Sequence, residues 1–475
     1  RKAMIEARES INILAWDIDS RLDLRPGEAD DGWPRELGAF LAALVAHNRR
    51  LRIRVLLWDY ALVYSLEREW LSSWRFSMGL GARGRRLMFR LDCAHPVGGS
   101  HHQKVVVIDD ALAFAGGIDL TRNRWDDNEH AADNPLRVTA DGDPYQPFHD
   151  LQAVVTGPAA LALGDLFRLR WSRATERKLV PASARRRSRC GVRETPVWPD
   201  AITPLIDSAD VAISRTEPAL RTHMKADGIP GDDTGELIAE SVLEVRQLHL
   251  DLIAAAHKHL YIENQYFTSS IVGDALAERL ARPDPPEMVI VSRRSEEGWL
   301  ETLTMGVLRA RLHQRLRALD PQERHYALLA PVIPDLASGC LNVHSKLLII
   351  DDRLLSIGSA NLNNRSMALD TECQLTIESG GDPAIEAAIA SFRQRLLAEH
   401  LGACIDAVAA AQTAPETASD PTTLMSTIDA LSRTTRRHLE PINPTLDPEL
   451  DRLVPEHSVI DPERAMEDVH DLNFR

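Results

Sequence analysis

The sequence predicts an α/β protein made of two pseudo-twofold-related α/β/α sandwich halves, an expectation carried by three observations. The same series of apolar strands occurs twice, its partners stay near 240 residues apart, and in both copies strands alternate with stretches of helical periodicity. In the first copy a helical pattern at Ala3, Met4 and Ala7 runs into the strand Ile11 to Trp16. In the second, Ile238, Val242, Val245 and Leu248 recur at helical spacing, followed by Ile253, and lead into Leu260 to Ile262. Next come Leu51 to Trp58 against Met288 to Val291, then Leu87 to Leu91 against Tyr326 to Leu329. The last pair is Lys104 to Ile108 against Lys346 to Ile350. Continuous apolar runs such as Val105 to Ile108 suit strands buried on both faces of a mostly parallel or mixed sheet.

This pattern divides the chain into a first half over 1–185, a linker over 186–210, a second half over 211–405 and an extended, partly disordered tail over 406–475. Arg185 to Arg189 and the stretch Pro196 to Pro204 mark the junction, the basic run reading as a solvated loop with anionic lipid headgroups as the sharper alternative. Thr413 to Thr423 is rich in Ala, Thr and Pro, which is why the tail is read as extended. The chain of 475 residues begins at Arg1 rather than Met, as expected of a piece of a longer protein, so a signal or membrane segment outside it stays open.

Composition is that of a soluble enzyme, with 44% hydrophobic and 26% charged residues and no apolar run long enough to span a membrane. A net charge of −15 argues against a nucleic-acid partner, which favours a basic surface, and means that an anionic substrate needs locally placed cations. The five cysteines (Cys93, Cys190, Cys340, Cys373 and Cys404) contain no C-x-x-C pair, so they predict neither a disulfide framework nor a zinc site. Reduced cysteines fit a location that is cytoplasmic or peripheral to the membrane.

The chemistry lies in two motifs 242 residues apart, His102-Gln-Lys104-Val-Val-Val-Ile-Asp109 and His344-Ser-Lys346-Leu-Leu-Ile-Ile-Asp351. Each is followed by a small-residue turn, Gly116-Gly-Ile-Asp119 in one half and Gly358-Ser359-Ala-Asn361 in the other. Positions i and i+2 of a strand face one side, so each His and Lys should enter the same cavity. The chain has six lysines among 55 basic residues, and two of the six stand at these equivalent positions, where a compact point charge suits a phosphoryl oxygen. His223-Met-Lys225 shares the spacing but is followed by Pro230 with no apolar run, and is read as a loop. His101 should face away from His102 across the strand.

These residues resemble the phospholipase D superfamily, whose hallmark is H-x-K-x4-D followed by G-S-x-N or a close variant. The resemblance covers roughly residues 1–405. It extends to Gly116 through Asp127, Phe148-His149-Asp150, Tyr261 through Phe267 and Ser359 through Ser366, matches that favour the lipid-cleaving branch. They are also similar to bacterial proteins in which such an enzyme is fused to a DedA-like (VTT) membrane domain. The resemblance implies a phosphodiesterase that hydrolyses glycerophospholipid at a membrane surface to phosphatidic acid and free headgroup, with water or an alcohol as acceptor and without a cofactor or metal. A cardiolipin synthase-like transferase and a nucleic-acid phosphodiesterase are the alternatives, and a scaffold without activity would be expected to have lost a motif histidine.

Displacement at phosphorus needs a nucleophile, a proton for the leaving alkoxide and cations against the developing charge. Two histidines divide the first two tasks, with His102 the nucleophile and His344 the acid and base by the resemblance. Lys104 and Lys346 are expected to clamp phosphoryl oxygens, and Asp109 and Asp351 to orient the rings or hold charge. Ser359, Asn361 and Asn363 are read as neutral donors to substrate, with Asp119, Glu263 and Glu372 as acidic substrate-binding positions. His149 and Asp150 read equally as site residues or structural partners. Trp125 is expected to pack, and Asp126-Asp127 to form a solvated turn.

Overall fold

A computed structural model describes residues 1–59, 85–182, 198–199, 202–221, 237–295, 299–413, 423–444, 446, 448–454 and 461–464. The basic run from Arg185 to Arg189 and the His223-Met-Lys225 sequence lie outside the described residues.

The first half contributes β1 (Ser10–Ala15), β2 (Arg52–Trp58), β3 (Leu87–Asp92), β4 (Val105–Ile108), β5 (Leu112–Gly116), β6 (Phe148–His149) and β7 (Gln152–Thr156). The second contributes β8 (Val211–Glu217), β9 (Leu220–Arg221), β10 (Leu237–Ala239), β11 (Val242–Leu243), β12 (His259–Asn264), β13 (Glu287–Val291) and β14 (Tyr326–Val332). It continues with β15 (Asn342–Val343), β16 (Lys346–Ile350), β17 (Leu354–Gly358), β18 (Glu372–Glu378) and β19 (His438–Pro441). The larger sheets run β3-β2-β1-β4-β5-β7 and β11-β8-β18-β17-β16-β12-β13-β14-β19. Within the second lies the whole order of the first. In each, three parallel strands (β1, β2, β3 or β12, β13, β14) join an antiparallel series (β4, β5, β7 or β16, β17, β18) through the central strand. The two halves are thus related by a pseudo-twofold, and each sheet is mixed.

Alternation within the strands builds the layers. Ile11, Ile13 and Ala15 of β1 enter one cluster with Phe40, Leu41 and Leu44 of helix Leu37–His47, while Leu14 enters another with Leu163, Phe167 and Trp171 of helix Gly157–Thr175. Helices Glu244–Ala255 and Ser270–Leu280 cover one face of the second sheet, and helix Pro383–Leu401 covers the other. Each fully buried Leu, Ile or Phe contributes roughly 1.5–3 kcal/mol through removal from water. The halves share their inner layers: Cys373 and Leu375 of β18 enter the first half's cluster, and Leu151 and Ala153 pack against the second's.

The tail departs from expectation. Its described residues include helices Ile405–Gln412, Leu424–Ser432 and Pro448–Leu453 and the strand β19, which pairs antiparallel with β14. Val408, Leu424, Ile428 and Leu439 are buried in the second half's core. The polar texture concealed a sparse apolar face, Leu424, Ile428 and Leu431, and an edge strand that covers the otherwise open ladder of β14. Asp461 is buried too, accepting the backbone N–H of Asn364 and Arg365 and the hydroxyl of Thr268. Four described cysteines are free. Among the described residues no helix is long and apolar enough to cross a membrane.

Candidate active site

Both motif histidines sit where one half grips the other. The backbone N–H of His102 donates to Thr371 O at 3.0 Å, and that of His344 donates to His149 O at 2.7 Å. Parallel bridges surround both contacts, His101 with Thr371 in one case and β15 with β6 in the other. Each histidine is therefore fixed by backbone from the opposite half, and the site belongs to neither half alone.

The rings are held in the same crossed fashion. His102 Nδ1 lies 3.0 and 3.1 Å from the two Glu372 carboxyl oxygens, and His344 Nδ1 lies 2.7 Å from Asp150 Oδ2. Asp150 and Glu372 are pseudo-twofold mates: Gly116 pairs with Gln152 and Gly358 with Gln374, and each acid stands two residues before its glutamine. This also explains why the two turns differ. A Cβ at Gly117 would overlap the Asp150 carboxyl, whereas the equivalent Ser359 donates its hydroxyl to Glu372 Oε2 at 2.5 Å. With Nδ1 engaged in both rings, Nε2 is the nitrogen left for chemistry.

The lysines follow, with one difference between them. Lys104 Nζ donates to His102 O at 2.9 Å, pairs with Asp119 Oδ2 at 3.1 Å and lies 5.9 Å from the centre of the Trp16 ring. Lys346 Nζ donates to His344 O and lies 3.4 Å from the neutral Gln265 Oε1. The Asp119 for Asn361 exchange between the halves thus gives Lys104 a counter-ion that Lys346 lacks.

Burial and shared charge tune these groups. Burial, with Lys104 and Lys346, holds the His102 imidazole well below its ordinary value. Burial, with Lys346, Arg124, Lys104 and His102, does the same to His344. The field of each lysine thus reaches the histidine of the other half. Burial raises both orienting carboxyls to about 7, against the pull of Lys346 on Asp150 and of Ser359 and Ser366 on Glu372. Burial likewise lowers Lys346 to about 7. Each imidazole–carboxyl couple titrates as a unit.

Several expected roles are corrected. Asp109 does not orient a ring. Its carboxylate accepts the backbone N–H of Arg8, Glu9 and Ser10 at the far end of β4, and Asp351 does the same for His257, Lys258 and His259. Both have positive φ (56° and 54°), a conformation that Asp tolerates better than most residues. Asp109→Asn is expected to lower unfolding free energy by roughly 1–3 kcal/mol, with kcat of the folded enzyme changed less than about twofold. Denaturant titration alongside initial rates checks both. Ser359 serves Glu372, and Asn363 caps the short helix Asn364–Ala368 through Ser366 N–H. Asp119 pairs with Lys104, and Glu372 meets the His102 ring. Asn361 Oδ1 is buried without a hydrogen-bond partner, so its amide remains a candidate donor or acceptor for substrate.

Glu263 lies one layer behind. It accepts from Tyr261, Ser345, His149 and His400, while His149 also meets Glu399 at 2.7 Å. Burial alone would lower His149, but the Glu263 and Glu399 carboxylates hold it well above its ordinary value. His130, His149 and Glu399, or His149, Glu263 and His400, are grouped closely enough to share a cation. Here they hydrogen-bond one another directly at 2.7 to 3.0 Å. His101 faces Asp92 and Thr371, away from His102. Asp126 is not a solvated turn residue, since its buried carboxylate accepts from His130, Arg137 and Phe148 N–H.

Comparison with known proteins agrees with this geometry. Residues 3–273 match the family model described as Phospholipase D, and residues 249–396 match the one described as Cardiolipin synthase, PLD-like domain. The chain is 26% identical over 389 residues to Phospholipase D1 of Saccharomyces cerevisiae, covering 65% of this chain and 22% of that protein. It is 26% identical over 410 residues to Phospholipase D alpha 1 of Brassica oleracea, covering 64% and 49%. The chain therefore spans half or less of these relatives. A crystal structure of phosphatidylserine synthase from Haemophilus influenzae shares the fold at a TM-score of 0.51 and 15% identity, covering 84% of this chain and 83% of that one.

Proposed function

The chain belongs to the phospholipase D family, and from that premise we propose that it hydrolyses glycerophospholipids to phosphatidic acid and a free headgroup through a phosphohistidine on His102. The observation that carries the reading is the crossed pairing of His102 with Glu372 and His344 with Asp150, with one lysine donating to the backbone carbonyl of each histidine. In the first step His102 Nε2 attacks phosphorus, the bond to the headgroup oxygen breaks, and His344 gives that oxygen a proton. Lys346 and Lys104 offset charge on the non-bridging oxygens. In the second step His344 takes a proton from water, the new P–O bond forms, and His102 departs. An alcohol in place of that water yields a phosphatidyl alcohol. The match of residues 249–396 to a cardiolipin synthase-type domain favours a second reading, in which the physiological acceptor is a lipid alcohol. The substrate places the enzyme against a membrane surface.

Incubation of pure protein with phosphatidylcholine, phosphatidylglycerol and a short primary alcohol tests this. Free headgroup and phosphatidyl alcohol are expected from the wild type and from neither histidine variant. Cleavage of single-stranded DNA with no lipid turnover would move the assignment to a nuclease.

A further inference from the structure

Beside His344 lies a cation that the two-histidine, two-lysine scheme leaves idle. The Arg124 guanidinium sits over the Phe148 ring, 5.1 Å from its centre, and that ring lies 5.4 Å from the His344 ring. Arg124 is only partly exposed. Its Nη1 reaches the adjacent Asn123 carbonyl at 3.3 Å, and its Nε is buried without a partner. Among the described residues no carboxylate lies within ion-pair distance of it. The neighbouring Asp126 is taken by Arg137 and His130. An arginine stays protonated, and a partly desolvated guanidinium without a counter-ion lacks an anion that a ligand can supply.

We propose that Arg124 is a third cation of the site, binding a phosphoryl oxygen of the substrate on the His344 side; this rests on the reading that the site takes a phosphodiester. Two features support it. The charge of Arg124 acts on His344, Asp150 and Lys346 together, in keeping with its seat over the ring that packs on His344. It is also asymmetric: the position 242 residues further on is Ser366, whose hydroxyl serves Glu372 at 2.6 Å. The first half thus lends its guanidinium to the side of the site where Lys346 lacks a carboxylate partner. Its planar fork suits two oxygens of one phosphate, which a lysine cannot match.

The test uses inorganic phosphate, bound to the whole chain and followed by phosphorus NMR, alongside KM and kcat for a short-chain phosphatidylcholine. Arg124→Gln should raise the phosphate Kd and the KM by about tenfold or more, with a smaller fall in kcat. Arg124→Lys should recover part of the loss and guards against misfolding of the first variant. Arg436→Gln, an exposed surface change, should alter neither quantity. Phosphate binding within twofold of wild type in Arg124→Gln, or no phosphate binding by the wild type, overturns the assignment. Arg124-dependent phosphate binding without lipid turnover leaves Arg124 in place and instead removes the phospholipid reading.

Discussion

Alanine at either His102 or His344 is expected to lower kcat/KM for phospholipid by at least about a thousandfold, and the double variant should be little worse than either single one. Non-additivity follows from the chemistry: a nucleophile without a leaving-group acid and an acid without a nucleophile both leave the P–O bond intact. Folding should survive. Each ring meets its orienting carboxyl and one aromatic ring, Trp16 for His102 and Phe148 for His344, and the backbone bridges to Thr371 and His149 do not use the side chains. Matched melting curves and initial rates for the four proteins check this, and losses that simply multiply in the double variant would separate the two histidines functionally.

Asp150→Asn and Glu372→Gln are expected to have the next largest effects, a fall in kcat of between about a hundred- and ten-thousandfold, because an amide can hold the ring in the wrong tautomer. The direction with pH follows from the same pairing. Both carboxyls are raised by burial to about 7. Above that value the carboxylate accepts Nδ1–H and leaves Nε2 with its lone pair; below it the carboxyl holds the proton, and the ring carries hydrogen on Nε2. For His102, which attacks, the acid limb of kcat/KM should therefore bend near pH 7 and flatten in Glu372→Gln; for His344, which must carry hydrogen on Nε2 in the first step, the basic limb should bend near the same value and flatten in Asp150→Asn. Stability shows the reverse slope. A folded-state carboxyl above its ordinary value binds its proton more tightly than the unfolded chain, so unfolding free energy falls as pH rises from about 4 to 7. The amide variants lose that contribution to the slope. A wild-type profile flat through pH 6 to 8 would count against the coupled pairs.

Much of this was legible in the sequence because it is carried by local pattern. The repeat of apolar strands, the His-x-Lys spacing and the glycine turns each depend on residues within about fifteen positions, and the equal strand orders of the two sheets reproduce them. The orienting acids were harder to see. A constant offset of 242 aligns the motifs, but a longer loop in the first half follows Asp119, so Asp150 and Glu372 fall 222 residues apart and pair only when the halves are aligned on the strand after the turn. Asp109 and Asp351 were assigned by motif rather than by position. A strand of four or five residues carries them to the end opposite the histidines, where backbone amides capture them. Burial of Leu424, Ile428 and Leu439 in the tail depends on contact with β14 and helix Pro383–Leu401, a long-range event that composition does not register.

The central claim is that two halves bring two imidazoles to one phosphorus, with His102 taking the phosphatidyl group. A short-chain phosphatidyl p-nitrophenyl ester tests it most directly, since its leaving group needs no acid. His344→Ala should release about one equivalent of p-nitrophenol per enzyme and then stall, with the phosphatidyl group recovered on the peptide containing His102. His102→Ala should give no such burst. A burst retained in His102→Ala and absent from His344→Ala would reverse the roles, and the absence of a phosphatidyl-peptide in every variant would contradict the covalent route.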